Sequence, residues 1–197
     1  FAKAKTLARP KAIYDVLPVR TNDSSQVKIG DVKFTSKVLS ANLKDVKRAF
    51  PYIVTASIEL DSIDVGNDFV AQYWLNELKN DTLYLGGAHL RESIQSKYDT
   101  IDLSSMEPGG SGRNIWPIEQ QKELFSIFEG VEDAIGVKLT DDYIMIPIKS
   151  LSGIYFEKDN KFESCQLCPV EICNSRMVSY NKELRDTTGR KYAYAFD

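Results

Sequence analysis

The sequence has few of the residues that cross-link small proteins or build metal and hydrolase centres. It contains three cysteines and one histidine, His89, in 197 residues. A chain of this length buries enough surface to form a core without a disulfide or a structural metal. There is no second cysteine pair for a zinc ribbon, and no serine, histidine and aspartate arrangement indicates a hydrolase. Any metal site would therefore serve function rather than folding.

Long apolar runs and an excess of one charge are also missing. No apolar stretch approaches the roughly 20 residues that cross a bilayer, and the N-terminal region lacks the pattern of a secretory signal. The 25 basic and 28 acidic side chains give a formal charge of -3. Without a basic tract, the sequence has no electrostatic footprint for nucleic acid or an anionic membrane. We expect a cytoplasmic protein whose partners are neither nucleic acid nor membrane.

The order of the predicted elements favours an α+β fold. Helices and strands occur in blocks rather than as repeated strand-helix-strand units, which is typical of an antiparallel or mixed sheet with flanking helices. We expect an N-terminal extension over residues 1–33, with a loop at 21–25, and one α+β domain over 34–197. The predicted elements are a helix at 36–50, a strand at 52–60, helices at 69–78 and 81–94, a strand at 101–103, a helix at 117–129, and strands at 143–148 and 153–157.

The three cysteines lie within nine residues, as Cys165, Cys168 and Cys173. Thiolates at this spacing on a loop can converge on one ion, and Pro169 restricts the backbone after the second of them. Two interpretations stay open: an iron-sulfur cluster or zinc at the three cysteines, or reduced thiols without a ligand role. A metal would need a fourth ligand, for which the candidates are His89, Glu163, Glu171, a solvent molecule and a partner chain.

Two further segments have the chemistry of a binding site. The loop 104–112 is rich in glycine, so its main chain can approach a ligand closely. It has neither the phosphate-loop nor the dinucleotide spacing, and a plain surface turn is the alternative. The segment Lys149–Gly153 places a cation and two hydroxyls at a strand end, where they could bind a carboxylate or phosphate. A hairpin turn with a solvated lysine is the alternative there.

Four segments, in the same order, resemble the activation domain of cobalamin-dependent methionine synthase and its short stand-alone relatives. They are Met106–Gly112, Trp116–Phe125, Gly136–Asp141 and Ile144–Gly153. The cysteine segment resembles the short relatives, and the whole resemblance runs from about residue 34 to 176. It implies a twisted antiparallel sheet flanked by helices. It also implies docking on a cobalamin domain, where the family's domain supplies S-adenosylmethionine to methylate cobalt during one-electron reduction.

The resemblance also implies where a ligand would bind. The implied ligand-binding residues are Ser105, Glu107, Pro108, Gly109, Gly110, Trp116, Lys149, Ser150, Ser152, Gly153 and Phe162. Ser105 and Gly110 stand where the synthase loop has an arginine and a tyrosine, and Phe162 lacks the hydroxyl of another tyrosine. Because a serine cannot replace the charged fork that holds a carboxylate, these departures argue against the family's mode of S-adenosylmethionine binding.

Three functions follow from these patterns. The first is an accessory protein that docks on a corrinoid-binding protein and supports its reductive reactivation or methyl transfer, with a separate electron donor. The second is an S-adenosylmethionine-dependent reductive methylation activator or corrinoid methyltransferase, and the third is a small iron-sulfur electron carrier. We expect the segments 105–116 and 149–153 to frame one groove. If a metal is bound, the three sulfurs should converge within about 4 Å of one another.

Overall fold

The computed structural model describes residues 2–21, 24–110, 115–157, 162–173, 176 and 178–191. The helices are α1 (Ala2–Leu7), α2 (Lys37–Leu43), α3 (Phe69–Tyr98), α4 (Gln121–Phe125), α5 (Val131–Ile135) and α6 (Lys182–Lys191). The strands are β1 (Lys11–Tyr14), β2 (Leu17–Thr21), β3 (Gln26–Ile29), β4 (Val32–Thr35), β5 (Arg48–Thr55), β6 (Leu103–Met106), β7 (Lys138–Leu139), β8 (Met145–Ile146) and β9 (Ser150–Glu157). Short 3-10 helices occupy Ile58–Ser62, Ile118–Gln120 and Ser164–Leu167.

One antiparallel sheet of seven strands organises the described residues. Its order is β4-β3-β2-β5-β9-β6, and β1 also pairs with β5, beside β2. Helices flank this sheet, so the predicted α+β class is confirmed. The boundary expected at residue 34 falls inside β4, and β1 to β3 belong to the same sheet. Residues 22, 23, 111 and 112, which belong to the two predicted loops, lie outside the described residues.

Strand β5 lies inside the sheet, between β2 and β9. Its side chains alternate between two apolar layers, as the two-residue period of a strand requires. Phe50, Tyr52 and Val54 pack with the C-terminal half of α3, which contributes Leu90 and Ile94. On the opposite side, the neighbouring β5 residues join clusters that include α2, the Trp116 indole and α5. The sheet is therefore covered on both faces around β5.

The predicted helix at 36–50 is wrong in its second half. Helix α2 ends at Leu43, Asp45 has a positive φ of 68°, and β5 begins at Arg48. The apolar residues 49–54 are all buried in the sheet, and tertiary pairing overrides the helical spacing of the segment. Pro51 lies within this strand rather than closing a helix, and its carbonyl accepts a hydrogen bond from the Asp15 N–H at 3.1 Å.

The two helices predicted at 69–78 and 81–94 are one helix, α3, of 30 residues. Gly86 lies inside this helix, at the point where the helix passes close to Pro10. A Cβ at Gly86 would lie 2.7 Å from the Pro10 Cβ, so glycine allows this approach. The apolar residues of its first turns face solvent, with Phe69 81% and Trp74 64% exposed. None of the described helices is long and apolar enough to cross a membrane.

The C-terminal strands differ from the prediction in length. The strand predicted at 143–148 is reduced to β8, which pairs with β7 outside the main sheet. The strand predicted at 153–157 begins three residues earlier, at Ser150, and pairs along its length with β5. Since β9 also pairs with β6, it is the strand that brings the two candidate binding segments together.

Candidate functional site

A cavity of about 530 Å³ lies beside the end of β6, where the chain turns away from β9. We call it the groove. It is lined by Glu107, Pro108, Gly109, Gly110, Ile118, Gln121, Tyr143, Met145, Leu151 and Ser152. The turn after β6 and the start of β9 therefore lie side by side, as the sequence predicts, and the loop before β8 and the first residue of α4 complete the walls.

Two glycines allow this arrangement. Gly109 has a φ of 74°, a conformation that side-chain-bearing residues rarely adopt, and its N–H donates to the Trp116 carbonyl at 2.8 Å. Gly153 lies where β9 passes β6, and a Cβ there would come within 2.7 Å of the Met106 carbonyl oxygen. Glycine at these two positions lets the turn form and lets β9 approach the end of β6.

Glu107 carries the only formal charge among the described residues that line the groove. Its Oε1 accepts a hydrogen bond from the Tyr52 hydroxyl at 3.3 Å. Burial raises the pKa of the Glu107 carboxyl, because the ionised form loses solvation there. Burial also raises the pKa of Tyr52 well above its usual range, so the tyrosine remains a hydrogen-bond donor beside the carboxyl.

A polar cluster supports Glu107 from behind. Arg91 of α3 forms an ion pair with Glu163 at 2.7 Å, and the Ser105 hydroxyl donates to the other Glu163 oxygen at 2.7 Å. The Arg91 guanidinium also donates to the Leu103 carbonyl and lies 5.5 Å from the ring centroid of Tyr155. Arg91 thus pairs with Glu163, and the Glu163 charge adds to the upward shift of the Glu107 pKa.

The two tyrosines in this region stack face to face. The Tyr52 and Tyr155 rings are 4.2 Å apart at an interplanar angle of 10°. Burial raises the pKa of Tyr155 to about 12. Both phenols are therefore neutral at physiological pH, and Tyr52 connects the inner polar cluster to the carboxyl at the groove wall.

Gln121 provides a second polar group in the groove. It is the first residue of α4, only 2% exposed, and its Nε2 is buried without a hydrogen-bond partner among the described residues. An unpaired buried donor costs free energy unless something binds to it. On the neighbouring wall, the Tyr143 ring lies 5.1 Å from the Lys122 Nζ, and Ser152 adds a hydroxyl. Most other lining groups are apolar or glycine.

The structure brings some of the predicted ligand-binding residues to the groove and places others elsewhere. Glu107, Pro108, Gly109, Gly110 and Ser152 line it. The other predicted residues have other neighbours. Ser105 and Ser150 form side-chain hydrogen bonds with Glu163 and Thr55, and the Lys149 carbonyl accepts a hydrogen bond from the Ala56 N–H. Gly153 lies against Met106, and Trp116 and Phe162 pack in the core. Whether the lining residues bind a ligand stays a prediction.

Sequence reasoning missed several groups that the fold assembles. It did not assign Gln121, Tyr143 or Met145 to the site, nor the supporting Tyr52 and Arg91. Gln121 did carry a signal, because it is a polar residue at a position where the helical spacing after Pro117 predicts an inward, apolar one. The others depend on strand register and on where α3 crosses the sheet.

The structure does not support the metal interpretation of the three cysteines, for which convergence of their sulfurs was expected. Within the described residues, no group of three histidine, cysteine, aspartate or glutamate side chains could hold a metal, so an iron-sulfur cluster or zinc is not supported. Cys165 lies in a 3-10 helix, Cys168 is extended and precedes Pro169, and Cys173 is exposed.

A guanidinium, rather than a metal ion, organises the cysteine loop. Arg176 donates to the carbonyl oxygens of Cys165 at 3.3 Å and Cys168 at 3.4 Å, and also to the Val170 carbonyl. These bonds direct main-chain oxygens of the loop toward one cation. The backbone of the segment is thereby folded around Arg176, and no convergence of thiolates is needed to hold it.

Comparison with known proteins connects the groove to one family. The family described as vitamin B12 dependent methionine synthase, activation domain, matches residues 90–168. Among solved structures, the chain is similar to the crystal structure of the MetH reactivation domain bound to AdoHcy, with a TM-score of 0.55 and 17% identity. The similarity covers 80% of this chain and 62% of that one, so the chain spans less than two thirds of that neighbour.

No curated protein matches the chain in sequence. The solved neighbour supports the fold, and the family match includes β6, the turn after it, α4 and all of β9. The resemblance inferred from the four sequence segments is confirmed by these findings. Residues 90–168 are thus similar to the activation domain family of vitamin B12-dependent methionine synthase.

Proposed function

We propose that this chain docks on a corrinoid-binding protein and supports its reductive reactivation or methyl transfer, with the groove as the contact region. One observation carries the proposal: every residue that lines the groove falls within residues 90–168, the segment that matches the activation domain family. The part of the chain that resembles this family is therefore the part that builds the cavity. The electrons for reduction would come from a separate donor.

The walls of the groove are suited to contact with a partner's prosthetic group. Ile118, Met145 and Leu151 offer apolar surface, and Glu107, Gln121 and Ser152 offer a few placed polar groups. Sites for organic cofactors commonly combine an apolar lining with a small number of polar anchors. The hydrogen bond from the Tyr52 hydroxyl holds Glu107 in place, so this anchor is oriented before docking.

Docking can be tested with the cobalamin-binding domain of a methionine synthase, loaded with cob(II)alamin under anaerobic conditions. We expect the chain to co-elute with that domain in size-exclusion chromatography and to change the electron paramagnetic resonance spectrum of the cobalt. Ile118→Arg should abolish both effects by placing a charge in the groove. Ile172→Arg is the matched control, because Ile172 is 89% exposed and does not line the groove. No co-elution with the unmodified chain would contradict the proposal.

A second candidate is an S-adenosylmethionine-dependent activator or corrinoid methyltransferase, favoured by the AdoHcy bound to the solved neighbour. The groove fits that ligand poorly at its carboxylate end, since none of its described lining residues is cationic. Calorimetric titration separates the two candidates. A dissociation constant below about 100 μM, equivalent to more than 5 kcal/mol, would favour the second. We expect weaker binding than that.

A further inference from the structure

Among the described residues of the groove, one buried hydrogen-bond donor has no partner. The Nε2 of Gln121 is buried and has no partner within the described part of the chain, although the residue lines an open cavity. Buried polar atoms in folded proteins are nearly always paired, and an exception calls for an explanation such as a bound group. A ligand with an acceptor oxygen at this wall would satisfy it.

The Glu107 carboxyl group in the groove can accept a further hydrogen bond. A carboxylate has about four acceptor positions, and the hydroxyls of Tyr52, Ser105 and Ser164 account for at most three at Glu107. A ligand that donates an N–H or O–H would use the remaining position. Gln121 and Glu107 line the same cavity, so a ligand that fills it would lie beside both side chains.

Charge narrows the class of ligand. The described lining residues include no lysine, arginine or histidine, and Glu107 is their only ionisable acid. Among the described lining residues, an anionic group would meet the Glu107 carboxyl and no cation, which is unfavourable in a partly buried site. The remaining walls are mainly apolar. The ligand is thus a neutral group with an adjacent acceptor and donor, carried on an apolar frame.

We infer that the groove binds a primary carboxamide, and that in the assembled complex this is an amide side chain at the edge of the corrin ring. A primary carboxamide offers a C=O to the Gln121 N–H and an N–H to Glu107. Corrinoids such as vitamin B12 carry several primary amides around an apolar macrocycle. The inference rests on the proposed function, because the corrinoid partner does, but it assigns a contact that docking alone does not require.

Free cyanocobalamin is the probe, because both axial positions of its cobalt are filled and cannot be taken by His89 or the cysteines. The control ligand is the same corrinoid with its peripheral amides hydrolysed to carboxylates. We expect cyanocobalamin to bind with a dissociation constant below about 1 mM and the carboxylate form to bind at least tenfold more weakly. Equilibrium dialysis read by the visible absorption of the corrin measures both constants.

Two variants assign the binding to the groove. Gln121→Met should weaken cyanocobalamin binding about tenfold, because it removes one hydrogen bond in a desolvated site. Glu107→Gln should reduce the preference for the amide form, because it removes the only acidic side chain among the described lining residues. Gln72→Met and Glu77→Gln, which change residues of α3 that do not line the groove, should leave both constants unchanged.

Several results would overturn the inference. They are no binding of cyanocobalamin at 1 mM, equal binding of the amide and carboxylate forms, or full binding by Gln121→Met. Co-elution with the cob(II)alamin-loaded domain in the same preparation would then leave the proposed docking function standing. Loss of that co-elution as well would remove the docking function.

Discussion

Gly153 lies against Met106 so closely that a Cβ at the glycine would be 2.7 Å from the methionine carbonyl oxygen. The obstructing atom belongs to the backbone of β6, so it cannot move without shifting the strand. The Tyr52 hydroxyl and the Glu107 Cγ would lie 3.0 and 3.1 Å from the same Cβ. This contact joins the sheet to the groove, because it sets how near β9 comes to Glu107.

We predict that Gly153→Ala lowers the free energy of unfolding by about 1 to 3 kcal/mol, the usual cost of overpacking. Urea unfolding followed by circular dichroism measures this. Gly87→Ala is the matched control, because a Cβ at this position of α3 has nothing within 4 Å. The control should raise stability by about 0.5 to 1 kcal/mol, since alanine is the better helix former. Equal effects at the two positions would contradict the strand contact.

The buried ion pair gives a second prediction. Arg91→Met should cost about 3 to 5 kcal/mol, because it leaves the Glu163 carboxylate buried and uncompensated. The side chains of Arg91 and Glu163 are only 17% and 6% exposed. The double variant Arg91→Met/Glu163→Gln should recover much of the loss. Lys28→Met, which breaks an exposed pair with Asp31, should cost less than about 1 kcal/mol.

The raised pKa of Glu107 predicts a dependence of stability on pH. Because the folded state holds this proton more tightly than the unfolded state, the stabilisation is complete below the unfolded pKa and is lost as the pH rises through the folded pKa. Glu107→Gln cannot lose a proton. Its free energy of unfolding relative to the unmodified chain should therefore increase from pH 4 to pH 7.

The control for this pH dependence is Glu59→Gln. The Ser57 hydroxyl lowers the pKa of Glu59 by hydrogen bonding to its ionised form. The stabilisation from Glu59 is thus present above the unfolded pKa and is lost as the pH falls through the folded pKa. The stability of Glu59→Gln relative to the unmodified chain should fall from pH 4 to pH 7. Trends of the same sign in the two variants would argue against burial at Glu107.

Gln121→Met should raise the stability of the fold although it weakens ligand binding in the groove. Gln121→Met replaces an unpaired buried amide with an apolar side chain of similar length, so we predict a gain of about 1 kcal/mol in the free energy of unfolding. Thermal unfolding without ligand measures the gain. Gln95→Met is the control, because Gln95 donates to the Ile101 carbonyl at 2.7 Å and gains nothing from the change. A destabilised Gln121→Met would mean that its amide is already satisfied.

The sequence was sufficient to predict residues that line the groove, but not the residues that support them from the sheet and α3. Glu107 and Ser152 could be placed together because chain order and the family resemblance both put them at neighbouring strand ends. Tyr52 and Arg91 could not, since their positions depend on the pairing of Tyr52 with Gly153 and on where α3 crosses β6. The local spacing of residue types determines neither the register of distant strand pairs nor the direction of a helix.

For the cysteine segment, the spacing suggested a metal site that the structure does not support. Spacing alone indicates that three thiols are close along the chain, but it does not fix the direction in which their side chains point. In the structure the backbone forms a 3-10 turn at Cys165 and is extended at Cys168, and Arg176 bonds to the carbonyl oxygens of both residues. Those bonds join residues of the loop through main-chain oxygens, which no pattern of side-chain types reveals.

The last prediction concerns Arg176 as the organiser of the cysteine loop. Arg176→Ala removes the guanidinium that binds three carbonyl groups, so the loop should open and its partly buried thiols should become accessible. We expect Cys165 and Cys168 to react with iodoacetamide several-fold faster than in the unmodified chain, as measured by peptide mass spectrometry. Cys173 is exposed already, so its rate should change little and serves as an internal reference. Lys182→Ala, at the start of α6, controls for loss of a nearby positive charge. Unchanged rates at Cys165 and Cys168 in Arg176→Ala would show that the loop keeps its shape without the guanidinium, and the main-chain bonds would then be incidental to it.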